Sequence, residues 1–208
     1  MDALFARLRQ STPQITESGQ VFLIVGLGNP GREYKDTRHN IGFLTIDELA
    51  QTFEVKLSKV QNKAIIGIGK FEGSRVVLAK PQTYMNLSGQ AVVGLMNFYK
   101  VPKENLIVIH DDIDLPFGTI RICPKGGSAG QRGLSSTIDK LGSQDFARMR
   151  LGVGRPPGQM DPKDYVLQRF SKDEEEFLRV LLEKACDAVK EFVQNGLNAA
   201  MNKYNGNM

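Results

Sequence analysis

The sequence predicts a single α/β domain, with a mixed, mostly parallel, twisted sheet flanked by helices on both faces. Three observations carry that expectation. Short apolar runs rich in β-branched residues, led by Val21–Gly26 and Leu106–Ile109, read as buried strands. Segments with apolar residues at helical spacing lie between them, the alternation of a layered α/β domain. The 208 residues hold no internal repeat, low-complexity tract or interdomain linker, and their number suits one domain with a substantial core.

Taken in order, residues 1–20 are polar and mixed, with a short helical pattern at Ala3–Arg9, and read as an extension outside the core. The domain then occupies residues 21–208. Val21–Gly26 is a central strand stopped by the Gly/Pro/Asn cluster Gly28-Asn29-Pro30-Gly31. A helix starts near His39, because Ile41, Leu44, Ile46, Leu49, Ala50 and Phe53 recur at helical spacing. Ala64–Lys70 and Arg75–Lys80, joined across Phe71-Glu72-Gly73-Ser74, form a hairpin. After the loop Pro81–Asn86, a helix opening near Ser88 carries Ala91, Val92, Leu95, Met96 and Tyr99 on its apolar face until Pro102 stops it.

Leu106–Ile109 is a second buried strand, ending on His110-Asp111-Asp112. Thr119–Cys123 is a shorter strand that leads into the glycine-rich loop Lys125–Gly133, followed by a helix over Leu134–Leu141. Met149–Val153 is the last strand, and the Pro/Gly-rich loop Arg155–Asp161 follows it. Ser171 with Glu174 three residues on makes a capping box for the longest helix, closed at Asn195-Gly196. Leu197–Tyr204 is a short terminal helix.

Bulk properties narrow the classes of function. No apolar run approaches the roughly 20 residues needed to cross a bilayer, so no membrane partner is expected. Cys123 and Cys186 lie far apart with no CxxC pairing and read as buried thiols, and the N-terminus lacks a signal-peptide layout; the expected address is the cytoplasm. The net charge is +4, and its distribution is uneven: Gly118–Phe170 holds nine basic residues against four acidic ones. That segment suits a polyanion, nucleic acid above all, although a charge run by itself can be a solvated face. Nothing demands a partner surface, so a monomer is expected.

Three motif matches fail on their mechanics. Gly26-x-Gly28-x-x-Gly31 follows a strand, but Pro30 intrudes and Arg32–Asp36 has no helical periodicity to present an N-terminus to a pyrophosphate. Gly126-Gly127-Ser128-Ala129-Gly130 fits G-x-S-x-G, yet both histidines lie upstream of the serine, against the chain order that motif requires. His110-Asp111-Asp112 lacks a second spaced cluster of ligands, so no metal is expected. No cofactor is expected either.

Four polar residues remain at or just beyond strand ends: Asn29, His39, Asn86 and Asp111. If the strands are neighbours, these groups meet in one cleft. A histidine beside a carboxylate is a general base whose imidazolium the carboxylate supports. Asparagine amides donate N–H groups to a carbonyl oxygen that turns negative in a tetrahedral intermediate. With no credible serine or cysteine nucleophile, the attacking group would be water and the target a reactive acyl bond. His39 as a helix cap and Asp111 as a turn residue fit the same spacing, and the spacing does not choose between the two readings.

Longer motifs in register do choose. Val25-Gly26-Leu27-Gly28-Asn29-Pro30-Gly31, with Tyr34 and Thr37-Arg38-His39-Asn40-Ile41-Gly42, resembles the opening signature of bacterial-type peptidyl-tRNA hydrolases. Lys80-Pro81-Gln82-Thr83-Tyr84-Met85-Asn86-Leu87-Ser88-Gly89 resembles a second block of that family, and His110–Gly118 a third. The glycine loop, Arg148-x-Arg150-Leu151-Gly152-Val153-Gly154 and Tyr165-Val166-Leu167 continue the resemblance, which runs from about Phe22 to the C-terminus. It implies hydrolysis of the ester between a peptide and the 3′-terminal ribose of tRNA, with His39 as base, Asp111 as its orienting carboxylate, and Asn29 and Asn86 on the carbonyl and peptidyl part. It further implies that Tyr34, Met85, Asn86, Lys125, Arg132 and Arg150 contact the substrate or its tRNA.

One departure stands out. The family usually carries His-Asn before Gly-Leu in the glycine loop, where the asparagine helps position substrate or water; this chain has Gln131-Arg132. Arg132 exchanges a neutral amide for a forked cation suited to phosphate or carboxylate. The competing expectation is a catalytically silent RNA-binding scaffold of the same fold. The intact His39 and Asp111, which a scaffold has no need of, favour the enzyme.

Overall fold

A computed structural model describes residues 19–206. The extension and the helix expected at Ala3–Arg9 fall almost wholly outside the described residues. Seven strands form one sheet in the order β2-β3-β4-β1-β5-β7-β6, from β1 (Val21–Gly26), β2 (Lys59–Gln61), β3 (Ala64–Phe71), β4 (Ser74–Pro81), β5 (Leu106–Asp112), β6 (Ile120–Cys123) and β7 (Ala147–Gly152). The central block β4-β1-β5-β7 is parallel throughout, and antiparallel pairing is confined to the two edges. That is the mixed, mostly parallel sheet the sequence predicts.

Helices cover both faces. The alternation along β1 sends Phe22 and Ile24 to one side, against α1 (Ile41–Thr52) and the long α5 (Lys172–Asn195), where Phe22 meets Phe192 edge to face at 5.5 Å. Leu23 and Val25 turn to the other side, against α2 (Ser88–Tyr99). Leu134 of α3 (Arg132–Leu141) completes that second core. Strands buried on both faces read as unbroken apolar runs rather than alternating ones, which is how β1 and β5 appear in the sequence.

Register builds the site. Val25 of β1 pairs with Ala79 of β4 and Gly26 with Ile109 of β5, so β5 runs three residues past the end of β1. The sequence ends that strand at Ile109; the structure carries it to Asp112, because His110, Asp111 and Asp112 continue the ladder with β7. The residues following β1 and β4 therefore gather beside this overhang, at the carboxyl ends of the parallel strands where α/β sheets place their ligands.

The glycines that imitate a nucleotide fingerprint serve packing instead. A Cβ on Gly26 would lie 2.0 Å from the Gly42 carbonyl oxygen, and one on Gly42 would lie 2.5 Å from the backbone of Leu27. Only this pair of glycines lets α1, and the turn leading into it, sit directly on the strand end. Two elements were missed in the sequence: β2, a three-residue edge strand, and α4 (Pro162–Val166), a single turn and a half capped by Asp161. Helix α3 starts at Arg132, before the expected Leu134, because the Gln131 side chain caps it by accepting the Leu134 N–H at 2.8 Å.

Candidate active site

Beyond the strand ends lies an open cleft of about 430 Å³. Its polar floor consists of Asn29, His39, Asp111 and Gln131; Met85, Ile113, Val166 and Leu167 supply apolar walls, and Tyr84, Asn86, Arg132 and Lys163 stand at the rim. His39 lies in a 3-10 turn, Arg38–Asn40, that enters α1. Its Nδ1 is 2.8 Å from Asp111 Oδ2, with side-chain exposures of 15% and 4%. A carboxylate accepts at Nδ1, so Nδ1 carries the proton and Nε2 keeps a free lone pair. Burial pulls the His39 pKa down, but the charge and hydrogen bond of Asp111 outweigh it and the net shift is upward; Arg132 opposes that rise.

The turn is held from behind. Arg38 is buried with its guanidinium 4.5 Å from the Tyr165 ring centre, bonded to the Arg169 carbonyl and paired with Glu174 at 2.7 Å. The Arg38 N–H also donates to the Gln168 carbonyl, tying the turn to the segment after α4. On the other side, Asn40 Nδ2 donates to the Asn29 carbonyl and its Oδ1 accepts the Asn29 N–H. Asn29 Oδ1 in turn accepts the Met85 N–H at 2.8 Å. A backbone N–H can only donate, so that contact identifies the oxygen and leaves the Asn29 NH₂ as a donor on the cleft.

The structure thus brings Asn29, His39, Asn86 and Asp111 around one cleft, with Met85 and Arg132 beside them. It does not bring the other expected contacts there. Tyr34 is half-buried in the turn before His39, and Lys125 is exposed on the glycine loop; neither lines the cleft. Arg150 also lies off it, its Nε bonded to Asp112 Oδ2 at 2.6 Å. The sequence reading missed two contributors. Helix α4 gives Pro162, Lys163 and Val166 to the wall, with Leu167 just after it, and only its Asp-Pro start marks it in the sequence. Gln131 reads in the sequence as a departure, yet its Nε2 donates to Asp111 Oδ1 at 3.1 Å.

The glycine loop is fixed by Arg148, whose buried guanidinium donates to the carbonyls of Gly126, Gly127, Gln144 and Phe146. No group of three or more His, Cys, Asp or Glu among the described residues is placed to hold a metal ion. None of their helices is long and apolar enough to cross a membrane.

Fold and cleft together define the class: an α/β protein with an open groove at the carboxyl ends of its parallel strands, floored by a histidine–carboxylate pair beside amide side chains. Comparison with known proteins resolves the class further. The sequence profile described as peptidyl-tRNA hydrolase matches residues 23–208. A peptidyl-tRNA hydrolase of Chloroflexus aurantiacus is 50% identical over 186 residues, covering 89% of this chain and 99% of that protein. One from Thermoanaerobacter is 47% identical over 186 residues, 89% of this chain and all of that protein. The crystal structure of peptidyl-tRNA hydrolase from Acinetobacter baumannii superposes with a TM-score of 0.84 at 37% identity, covering 90% of this chain and 95% of that one. The chain belongs to the peptidyl-tRNA hydrolase family.

Proposed function

We propose that this protein hydrolyses the ester joining a peptide's C-terminal carbonyl to the 3′-terminal ribose of tRNA, releasing free peptide and reusable tRNA. Family membership supports the reaction, and the single observation that carries the residue assignment is the 2.8 Å bond from His39 Nδ1 to Asp111 Oδ2 on the cleft floor. Water in the cleft gives a proton to His39 Nε2 as its oxygen adds to the ester carbonyl. Asp111 steadies the imidazolium that forms. The Asn29 NH₂ and the amide of Asn86 donate to the developing oxyanion. Collapse of the intermediate expels the ribose 3′ oxygen, which takes the proton back from the imidazolium. The peptide's new carboxylic acid gives its proton to solvent and leaves as a carboxylate.

The amides read peptide backbone, which all peptides share, so side chains go unread. At the rim, Arg132 is exposed on the first turn of α3 and Lys163 faces the cleft from α4, cations suited to phosphates near the tRNA 3′ end. Lys125, exposed off the cleft on the basic half of the chain, is assigned to the RNA body beyond it, whereas Arg150 is taken up by Asp112. The protein acts as a monomer in the cytoplasm, a reducing compartment that suits its free thiols Cys123 and Cys186.

The test is release of peptide from an N-blocked aminoacyl-tRNA by the wild type and by His39→Ala. Turnover by the wild type that disappears in the variant supports the assignment. Intact tRNA binding without turnover in the wild type would leave a silent RNA-binding scaffold.

A further inference from the structure

Resting on the reading of His39 and Asp111 as the working pair, we propose that Gln131 is a positioning residue for hydrolysis, its amide NH₂ holding the second oxygen of Asp111 so that the first stays aligned on His39. Asp111 has two oxygens to place. Oδ2 meets His39 Nδ1, and among the described residues Oδ1 has one side-chain donor, Gln131 Nε2 at 3.1 Å. Without that donor the nearly buried carboxylate would be free to rotate and present its other edge to the imidazole.

Gln131 itself cannot easily move. It is nine-tenths buried, and its Oε1 is fixed at 2.8 Å by the Leu134 N–H at the start of α3. That contact settles which end of the amide is oxygen and leaves the NH₂ for Asp111. The same NH₂ lies 3.4 Å from the Met85 sulfur, and the Met85 N–H is bonded to Asn29 Oδ1. Gly133 keeps this crossing open, since a Cβ there would fall 2.5 Å from that sulfur. One glutamine thereby ties the first turn of α3 to the carboxylate on β5 and to the turn after β4.

The chemistry of an amide matters here. A cation bonded to Asp111 would draw its charge away from His39 and lower the basicity the reaction uses. A neutral donor orients the carboxylate and leaves that attraction in place. The charged and titratable groups around the pair are Asp112 and His110 on β5, Arg150 on β7, Arg132 on α3 and Lys163 on α4. None of them replaces the Gln131 contact with Oδ1 among the hydrogen bonds of the described residues.

Two substitutions separate positioning from helix capping. Gln131→Glu keeps an oxygen for the Leu134 N–H but sets a second carboxylate against Asp111; Gln131→Met keeps the length and removes both contacts. Gln131→Glu is expected to stay folded with the Leu134 N–H still capped, at a stability cost from the paired carboxylates, while kcat falls on the order of tenfold or more with KM little changed. Its acid limb is expected to move upward by about half a pH unit or more, as the added negative charge further stabilises the His39 imidazolium. Gln131→Met should lose kcat with no such upward move. Wild-type kcat and limb in Gln131→Glu would overturn the proposal and leave Gln131 as a cap alone. Asp111→Asn is the control for the reading beneath: if it too keeps full activity and an unmoved limb, the His39–Asp111 assignment fails rather than the role of Gln131.

Discussion

Both histidines of the chain are bonded to Asp111, and they are pushed in opposite directions. His39, on the cleft floor, meets the side-chain carboxylate; burial lowers its pKa, but the charge and hydrogen bond of Asp111 raise it further, to a net position above 6.5. His110, wholly enclosed beneath the cleft, meets the backbone carbonyl of Asp111 at 2.8 Å, and burial dominates to hold its pKa below 6.5. At His110 the carbonyl bond and the charges of Asp111 and Asp112 together do not offset the desolvation, to which Arg150 adds, whereas at His39 a carboxylate that both faces the ring and bonds it does. Nearness to an acid in sequence is therefore no guide to which histidine is a base. What decides is whether ring and carboxylate face each other with the opposite ring nitrogen open to substrate.

The strongest way to break this contrast is to remove the base. His39→Ala is expected to lower kcat by about a thousandfold or more, the upper part of the general-base range. Asp111→Asn comes next, with a loss on the order of a hundredfold or more. It carries a sign as well: with the carboxylate charge gone, burial and Arg132 alone act on His39, so the acid limb of kcat/KM should fall from above pH 6.5 to below it. A pH profile of peptide release measures both. An unmoved limb in Asp111→Asn would mean that some group other than His39 sets it.

Arg132 sharpens the comparison from the other side. Its charge opposes protonation of His39, so Arg132→Asn should raise the His39 pKa further and move the acid limb to higher pH. Activity well above the limb should change by no more than about threefold, and the dependence of KM on salt should flatten by about one phosphate contact. A limb that moves down, or a salt slope that stays the same, would remove Arg132 from the electrostatics of the cleft.

The contrast also shows what the sequence could carry. The sheet, its helices and the convergence of Asn29, His39, Asn86 and Asp111 were legible, because strand ends and helix starts have local signals and parallel strands bring their carboxyl ends together. Residues whose roles depend on orientation across elements were not. Arg150 looks like a free cation in the sequence and is taken up by Asp112, two positions along the same ladder from its register partner His110. Gln131 looks like a lost histidine, yet its two ends serve a helix cap and a carboxylate twenty residues away. Helix α4 is too short for periodicity to detect, although it walls the site.

The smallest effect belongs to His110. Its Nε2 is buried with no partner among the described residues, while Nδ1 donates to the Asp111 carbonyl. His110→Phe removes that bond, a loss of roughly 1 kcal/mol, and also removes the unpaired nitrogen, a gain of similar size. Near neutral pH the variant should therefore unfold within about 1.5 kcal/mol of the wild type, the extra ring volume included. Acid changes the balance. Because the folded pKa of His110 lies below its unfolded value of about 6.5, the unfolded chain takes up a proton that the folded one refuses, and stability falls as pH drops through that region. His39 has the opposite slope: its raised pKa adds stability at low pH that is lost as pH rises through the folded value. His110→Phe should thus gain on the wild type in urea unfolding as pH falls from 7 to 5.5, with the acid limb of catalysis unmoved. A limb that follows the substitution would show that His110, rather than His39 alone, governs protonation in the cleft.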